Sequence, residues 1–255
     1  AKWRILDLPH DWSIEERFDE KSKAGVGGGA LNGGLGWYKK NFKIEAEDSN
    51  KITSVVFDGV YRNSQVWING HYLGKRPNGY ITFQYNLSPY LNYGNKENEI
   101  IVKVDNSKQP NSRWYSGSGI FRNVWLEITD RLHVAPWGTY ITTPVVNNDK
   151  ASVLIETKIQ NQNSTSKQAT VNTIIFKGKK KITSISQNIT IEANTNKEIK
   201  QETSIENPIL WSIESPELYT AVTEITIDNK IVDQYKTPFG IRSFTFDYDK
   251  GFILN

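Results

Sequence analysis

Cysteine is absent from the 255-residue sequence, which excludes disulfide bridges and thiolate chemistry. Histidine is scarce: His10, His71 and His133 lie far apart and show no metal-ligand spacing. No apolar run approaches the roughly 18 residues that a membrane-spanning helix needs. The net charge is only +3 and the lysines are scattered, so electrostatics give no argument for a nucleic-acid or membrane partner.

Methionine is absent as well, so Ala1 is not an unprocessed translation start. The sequence opens abruptly in AKWRILDLPHDW and closes in GFILN, which has the pattern of a hairpin. We therefore expect this sequence to be a piece of a longer protein.

The sequence does contain period-two alternation of apolar and polar residues, and no window shows a helical stripe. Segments such as KITSVVFDGV, SQVWINGHYLGK and NEIIVKVDN are rich in β-branched and aromatic residues. The Asn69-Gly70 pair predicts a type I′ turn between two strands, because both central positions of that turn require positive φ. These patterns predict an all-β protein.

The composition changes after about residue 135, where aromatic residues become rare and Thr, Ile, Asn, Lys and Ser become frequent. Short predicted strands then recur about every ten residues, which is typical of a small immunoglobulin-type β-sandwich. Pro136–Tyr140 (PWGTY) is the predicted joint between two all-β domains, and a second joint is predicted near Pro238. The lysine run from Lys179 to Lys181, preceded by Gly178, is interpreted as a hairpin turn.

The stretch AGVGGGALNGGLG is rich in glycine but lacks the lysine and the following helix of a phosphate-binding loop. We therefore expect a flexible connection that leads into the strand WYKKNFKI.

A sugar ring presents both C–H patches and hydroxyl groups, so its binding sites combine aromatic faces with hydrogen-bonding side chains. The first predicted domain holds nine suitable residues: Trp12, Trp37, Trp67, Trp114, Tyr115 and Trp125, together with Asp11, Asn32 and Arg113. Trp67 and Trp125 lie in alternating segments and are predicted to be core residues. Trp114 and Tyr115 lie in a loop beside serine and glycine, where site rim and loop packing are equally good interpretations.

Two arginines are interpreted as structural. Arg122 lies in a strand pattern, and we expect it to form an ion pair with Asp11, Asp58 or Asp105. Arg242 in FGIRSF is interpreted as a clamp between domains. No serine motif accompanies His10-Asp11, and the sequence alone brings no two carboxylates together for glycoside hydrolysis. The residues by themselves therefore indicate a two-domain, non-catalytic β protein that is a candidate for contacting sugars.

Five segments in order carry a resemblance beyond these patterns: LPHDWSIE, GGALNGGLGWYKKNF, FDGVYRNSQVWINGHYLGKRPNGYITFQYNLSPYL, KQPNSRWYSGSGIFRNVWLEITD and PFGIRSFTFD…GFILN. Together they resemble the N-terminal region of glycoside hydrolase family 2, which includes β-galactosidases, β-glucuronidases and β-mannosidases. The resemblance covers essentially the whole chain, and the bacterial β-galactosidase branch is the most similar.

The resemblance implies a jelly-roll sugar-binding domain over residues 1–131, truncated at its N-terminus, and an immunoglobulin-like β-sandwich over residues 132–236. Residues 237–255 would be the linker and the first residues of a (β/α)₈ barrel that is otherwise missing. Family members are retaining glycosidases whose two catalytic glutamates lie on barrel strands. No catalytic residue, metal site or cofactor is therefore expected in this chain, and the chain alone is expected to be inactive.

The resemblance also implies that the first domain contributes polar contacts near the terminal sugar. The residues at matching positions, and the candidate rim beside them, are Asn32, Asn111, Arg113, Trp114 and Tyr115. Several branches have an aspartate where an ungapped match places Arg113, which would replace a hydroxyl acceptor with a donor. Gly117 and Gly119 are expected to permit a tight backbone at a strand entrance, with Arg122 clamping the sheet.

The implied partners are a β-galactoside oligosaccharide substrate and the catalytic barrel of the same protein, while homo-oligomerisation stays open. The alternatives are a β-glucuronidase or β-mannosidase of the same family, a free-standing carbohydrate-binding module, and a structural tandem of β domains. The segment FGIRSFTFDYDKGFILN argues against a free-standing module, which would have no use for it. The cellular location is also open, with a periplasmic or extracellular one favoured over the cytoplasm.

Overall fold

A computed structural model describes residues 3–255 and confirms the all-β prediction, because every long element in it is a strand. The chain divides into two compact units, the first ending at Ile128 and the second beginning at Thr129. Four short 3-10 helices occur in the first unit: Ser13–Glu15, Val26–Gly28, Ala46–Asn50 and Ser88–Tyr90. Over the described range, none of the helices is long and apolar enough to cross a membrane.

From residue 3 onward, the first unit contains seven strands in two sheets. They are β1 (Gly34–Phe42), β2 (Ile52–Phe57), β3 (Ser64–Ile68), β4 (His71–Arg76), β5 (Phe83–Asn86), β6 (Asn98–Asn106) and β7 (Val124–Thr129). One sheet has the antiparallel order β1-β6-β3-β4, and the other has the order β5-β2-β7. Residues of both sheets enclose an apolar core: Val55, Phe57, Val60, Val66, Ile68, Phe83, Leu87, Val102, Val104 and Ile120.

The hairpin between β3 and β4 forms as its sequence predicts. Asn69 and Gly70 both have positive φ, +48° and +82°. The Asn69 side chain also accepts a hydrogen bond from the Glu99 amide at 2.9 Å and donates to the Asn98 side chain at 2.8 Å. Asparagine therefore both permits the turn and fastens it to the neighbouring strand.

The outer face of the β1-β6-β3-β4 sheet carries a row of aromatic rings. The Trp37 and Trp67 rings stack at 5.8 Å between centroids, Tyr72 follows at 5.3 Å, and the Lys103 ammonium group lies 5.7 Å from the Trp37 ring. Trp67 is only partly buried and does not belong to the core. The prediction of a core position is wrong because alternation gives the period of a strand but not which face points inward.

Trp125 is also misplaced by the prediction, since it is 53% exposed. Its Nε1 donates to Asp58 Oδ2 at 2.9 Å, while the neighbouring Val124 packs against the core. The indole therefore lies on the outer face of β7 and is held there by a carboxylate.

The second unit contains nine strands. They are β8 (Leu132–Thr142), β9 (Lys150–Asn161), β10 (Lys167–Lys177), β11 (Lys180–Ile191), β12 (Thr195–Glu206), β13 (Tyr219–Ile227), β14 (Lys230–Phe239), β15 (Phe244–Asp247) and β16 (Gly251–Leu254). The first seven form sheets of order β12-β9-β8 and β11-β10-β13-β14, the three-on-four arrangement of an immunoglobulin-like sandwich. Gly178 and Lys179 form the turn between β10 and β11, as the lysine run predicts.

A buried polar bridge joins the two sheets of this sandwich. The Gln201 side chain accepts from Thr173 Oγ1 at 2.7 Å and donates to the Val171 carbonyl at 3.1 Å. Both side chains are almost fully buried, so each needs the partner that the other supplies.

Pro136–Tyr140, predicted to be a joint, lies inside β8. The pairing of β8 with β9 shifts register between Val134 and Thr139, and Trp137 has a φ of +52°. A side chain at Gly138 would lie 2.6 Å from the Ala135 carbonyl oxygen. The Pro-Trp-Gly signal therefore marks a β-bulge rather than a boundary.

Arg242 makes a local contact within the second unit. Its guanidinium carbon lies 5.0 Å from the centre of the Trp211 ring, in the segment between β12 and β13. Pro238 likewise lies inside β14 and pairs with Thr220. The last residues form the predicted hairpin, in which β15 pairs with β16.

The entrance to β7 in the first unit is held by backbone hydrogen bonds to the N-terminal segment and to Tyr61. Ile120 accepts from the His10 amide at 2.7 Å, and Ser118 accepts from the Trp12 amide at 3.0 Å. Gly119 exchanges two backbone hydrogen bonds of 2.9 Å with Tyr61. The buried segment 117–120 is thus fixed by residues distant in sequence, which satisfies its backbone groups.

Glycine is required at position 119. Its φ is +132°, and an added Cβ would lie 2.3 Å from the Tyr38 hydroxyl and 2.6 Å from the His10 carbonyl oxygen. We expect Gly119→Ala to lower the free energy of unfolding by about 3 kcal/mol. Gly70→Ala is the matched control: its φ is also positive but its Cβ would meet nothing within 4 Å, so a loss of about 1 kcal/mol is expected. Urea unfolding followed by tryptophan fluorescence measures both, and equal losses would contradict this account.

Tyr38 should make the alkaline stability of the protein depend on pH. Burial raises the pKa of Tyr38 to about 12, aided by the negative charge of Asp11, although the Ile120 amide acts in the opposite direction. An unfolded tyrosine has a pKa of about 10, so Tyr38 stabilises the fold fully below that pH and loses this effect as pH rises towards 12.

We therefore expect the unfolding free energy of Tyr38→Phe to fall less steeply between pH 9 and pH 11 than that of the unsubstituted chain. The other eleven tyrosines titrate in both proteins, so the difference between the two curves isolates Tyr38. Urea midpoints measured along this range test the expectation, and parallel curves would refute it.

Candidate functional site

Three loops of the first unit converge on the segment that precedes β7. The first is the glycine-rich loop before β1 (residues 25–33), and the second is the loop between β4 and β5 (residues 77–82). The third is the part of the segment before β7 that covers residues 107–116. The N-terminal segment 10–13 packs behind them through the backbone hydrogen bonds to 118–120. We call the surface formed by Asn32, Tyr80 and residues 111–115 the rim.

The glycine-rich loop packs closely against the rest of the rim. A Cβ at Gly27 would lie 3.6 Å from Arg113 Cα, and one at Gly29 would lie 3.3 Å from the Tyr115 ring. At Gly33 a Cβ would lie 2.1 Å from the Asn106 carbonyl oxygen, too close to be tolerated. Instead of the expected loose connection, the structure shows a close fit between this loop and residues 106–115, because glycine lets the two backbones approach.

Trp114 lies on the rim with 59% of its surface exposed. Its Nε1 donates to the Tyr80 hydroxyl at 2.9 Å, and the Tyr80 ring packs 5.3 Å from that of Tyr61. The exposed indole is therefore held at one edge and presents a ring to solvent.

Tyr115 is 41% exposed, and a different residue holds its hydroxyl group. Its hydroxyl donates to Asp11 Oδ2 at 2.5 Å. Burial raises the pKa of Tyr115, and both the hydrogen bond to Asp11 and the charge of Asp11 act in the same direction. The hydroxyl thus stays protonated as a donor.

Both polar atoms of the Asn111 side chain form hydrogen bonds within the protein. Its Oδ1 accepts from the Tyr61 hydroxyl at 2.9 Å, and its Nδ2 donates to Asn106 Oδ1 at 2.7 Å and to the Lys108 carbonyl at 2.9 Å. Asn106 in turn donates to the Gly117 carbonyl at 3.0 Å. Asn111 therefore fastens the base of the segment that carries Trp114 and Tyr115.

Asn32 and Arg113 are both exposed. The backbone carbonyl of Asn32 accepts from Ser13 Oγ at 2.8 Å, which leaves its side chain at the surface of the glycine-rich loop. The five residues selected from the sequence therefore lie on two loops that the fold brings into contact.

Arg122 does not behave as the sequence predicts. It is exposed, lies 5.2 Å from the centre of the Phe121 ring, and donates to the carbonyl oxygens of Asp58 and Tyr80 at 3.5 and 3.4 Å. The expected carboxylate partners are engaged elsewhere: Asp58 with Trp125, Asp11 with Tyr115 and Asp105 with Ser107. The expectation of an ion pair is wrong because backbone oxygens at the β7 entrance satisfy the guanidinium.

Sequence reasoning missed Tyr80 as a rim residue, and it treated Asp11 as a candidate for sugar contact or for pairing with Arg122 rather than as the partner of Tyr115. Tyr80 follows the Pro-Asn-Gly turn signal at residues 77–79, so its position in an exposed loop was readable from the sequence. Its partnership with Trp114, 34 residues away, was not readable.

Among residues 3–255, no cluster of three or more His, Asp or Glu side chains occurs that could hold a metal ion. Asp233 is a carboxyl whose pKa burial raises, as an acid catalyst would require. However, it lies in the second unit and accepts from the Val134 amide at 2.8 Å, as a structural residue of the sandwich.

Known proteins share both units of this chain. A β-galactosidase of Bacteroides ovatus is 47% identical over 99% of the chain, which corresponds to 30% of that protein. A putative β-glucuronidase of Formosa agariphila is 38% identical over the whole chain and 24% of its own length. The chain thus spans less than a third of these curated relatives.

A solved structure of a glycosyl hydrolase family 2 member from Bacteroides cellulosilyticus superposes with a TM-score of 0.96 at 36% identity. The match covers 99% of this chain and 33% of that one. Residues 30–129 match the model of the glycosyl hydrolases family 2 sugar binding domain, and residues 132–242 match a second model of the same family. The chain therefore belongs to glycosyl hydrolases family 2 and corresponds to the N-terminal part of those enzymes.

Proposed function

We propose that this chain supplies the sugar-binding and immunoglobulin-like domains of a retaining β-galactosidase that removes terminal β-linked galactose from oligosaccharides. The observation that carries the proposal is the 47% identity to a β-galactosidase over 99% of the chain. The catalytic glutamates would lie in a barrel domain of the same protein, beyond the residues of this chain.

Within that enzyme the rim would contact the substrate. Trp114 and Tyr115 would pack against C–H faces of the sugar, while Asn32 and Arg113 would bond its hydroxyl groups. The support is geometric: the two rings are exposed yet anchored at their polar atoms, so binding costs little side-chain entropy. Asn111 would hold these residues in place through its three internal hydrogen bonds.

A second candidate is a β-glucuronidase of the same family. Two observations favour it: a putative β-glucuronidase is 38% identical over the whole chain, and Arg113 places an exposed cation on the rim. A guanidinium pairs well with a uronate carboxylate. The choice between galactose and glucuronate is therefore a matter for direct measurement.

We expect the full-length protein to hydrolyse nitrophenyl β-galactoside, and the 255-residue chain to hydrolyse none of the nitrophenyl β-galactoside, β-glucuronide and β-mannoside. Chromogenic assays of both proteins on the three substrates measure this. Cleavage of the glucuronide alone would replace the proposed substrate, and turnover by the 255-residue chain would overturn the assignment of catalysis to the barrel.

We expect Trp114→Ala in the full-length enzyme to raise KM for the galactoside about fivefold, because truncating an anchored contact residue costs roughly 1 kcal/mol of binding. Trp37→Ala is the control, since Trp37 is similarly exposed (48% against 59%) but lies on the outer face of a sheet. Steady-state kinetics of both variants make the comparison, and an equal change in KM would remove Trp114 from the proposed site.

A further inference from the structure

The Asp11 carboxylate accepts three hydrogen bonds, one from its own N-terminal segment and two from residues 115–118. Its Oδ1 accepts from the amides of Ser13 at 3.0 Å and Ser118 at 2.7 Å. Its Oδ2 accepts from the Tyr115 hydroxyl at 2.5 Å. Bonds to an ionised acceptor are stronger than neutral ones, so this carboxylate can fix three donors together.

The backbone at Gly117 passes close to the Asp11 carboxylate. Gly117 has a φ of +70°, and a Cβ there would lie 2.5 Å from Asp11 Oδ2. The glycine therefore lets the backbone pass against the carboxylate, and the Ser118 amide that follows it points at Oδ1.

Asp11 is linked by hydrogen bonds to both loops of the rim, directly to Tyr115 and through Ser13 to Asn32. On one side, Tyr115 bonds Asp11 directly, and its ring lies against Gly29 of the glycine-rich loop. On the other side, Ser13, whose amide bonds Asp11, donates through Oγ to the Asn32 carbonyl at 2.8 Å. Asp11 thus connects the segment that carries Tyr115 with the loop that carries Asn32, in addition to the direct contacts between them.

We propose that Asp11 is a positioning residue that holds Asn32 and Tyr115 in the relative placement needed to receive the terminal sugar. The inference rests on the proposed function of the rim and adds to it the residue that determines the geometry. Asp11 touches no substrate in this scheme and acts only through Tyr115, Ser13 and Ser118.

Asp11→Asn tests the proposal with the smallest change in shape. The amide can still accept from the backbone donors through one oxygen, but it presents an NH₂ group to the Tyr115 hydroxyl, which loses its acceptor. In the full-length enzyme we expect KM for the galactoside to rise about fivefold while kcat changes less than twofold, because binding geometry is altered and the catalytic glutamates are not.

Tyr115→Phe should produce the same rise in KM, since it removes the other partner of the same bond. The double variant should be no worse than the more impaired single variant, because the two residues act as one unit. Asp48→Asn is the control. Asp48 lies in the Ala46–Asn50 helix and forms an ion pair with Lys51, so the substitution removes the same charge at a place outside the rim. Additive losses in the double variant, or an equal loss in the control, would overturn the proposal.

If the full-length protein cleaves none of the three glycosides, the proposed function fails, but the positioning role of Asp11 can still be tested by a second measurement. Amide hydrogen exchange of the 255-residue chain should be faster around residues 25–33 and 113–118 in Asp11→Asn than in the unsubstituted chain, and unchanged there in Asp48→Asn. Unchanged exchange of the glycine-rich loop in Asp11→Asn would show that Asp11 does not position it.

Discussion

The buried backbone of residues 117–120 is the constraint on which the first unit depends. These residues lie in the interior without a neighbouring strand, so their polar groups must find partners one by one. Backbone partners come from His10, Trp12 and Tyr61, which are more than 50 residues away along the chain, and side-chain partners include Asp11 and Asn106. A single short segment therefore unites the N-terminal stretch, the loop after β2 and the entrance of β7.

The same constraint explains why the rim residues come together. Because Gly117 and Gly119 allow the segment to pass closely, the loop before it, residues 111–115, is pressed against the glycine-rich loop. Trp114 and Tyr115 are then anchored at their polar atoms and exposed at their rings. Such an arrangement suits the recognition of a ligand that has both apolar patches and hydroxyl groups, as sugars do.

The second unit reaches stability by a different route. Its core is divided into two apolar clusters, and between the sheets lies the bridge of Gln201 and Thr173. The hairpins are closed by residues that tolerate positive φ, such as Asp228 and Asn229 between β13 and β14. Local turn chemistry and regular alternation thus account for the hairpins of this unit, while contacts such as that of Arg242 with Trp211 hold its longer connections.

The sequence by itself determined the all-β class and the Asn69-Gly70 turn, because these follow from alternation and from backbone sterics. Gly117 and Gly119 predicted a tight backbone, and the tertiary structure supplied the neighbours that exclude a side chain there. The sequence also placed Trp114 and Tyr115 in a loop but left exposed rim and loop packing as equal alternatives, and the structure shows both to be exposed. Only the tertiary structure decided which strand faces turn inward, and hence that Trp67 and Trp125 lie outside the core. It alone gave Arg122 carbonyl partners and brought Asp11 to Tyr115, since contacts between residues 42 to 104 positions apart arise from packing and leave no periodic trace in the sequence.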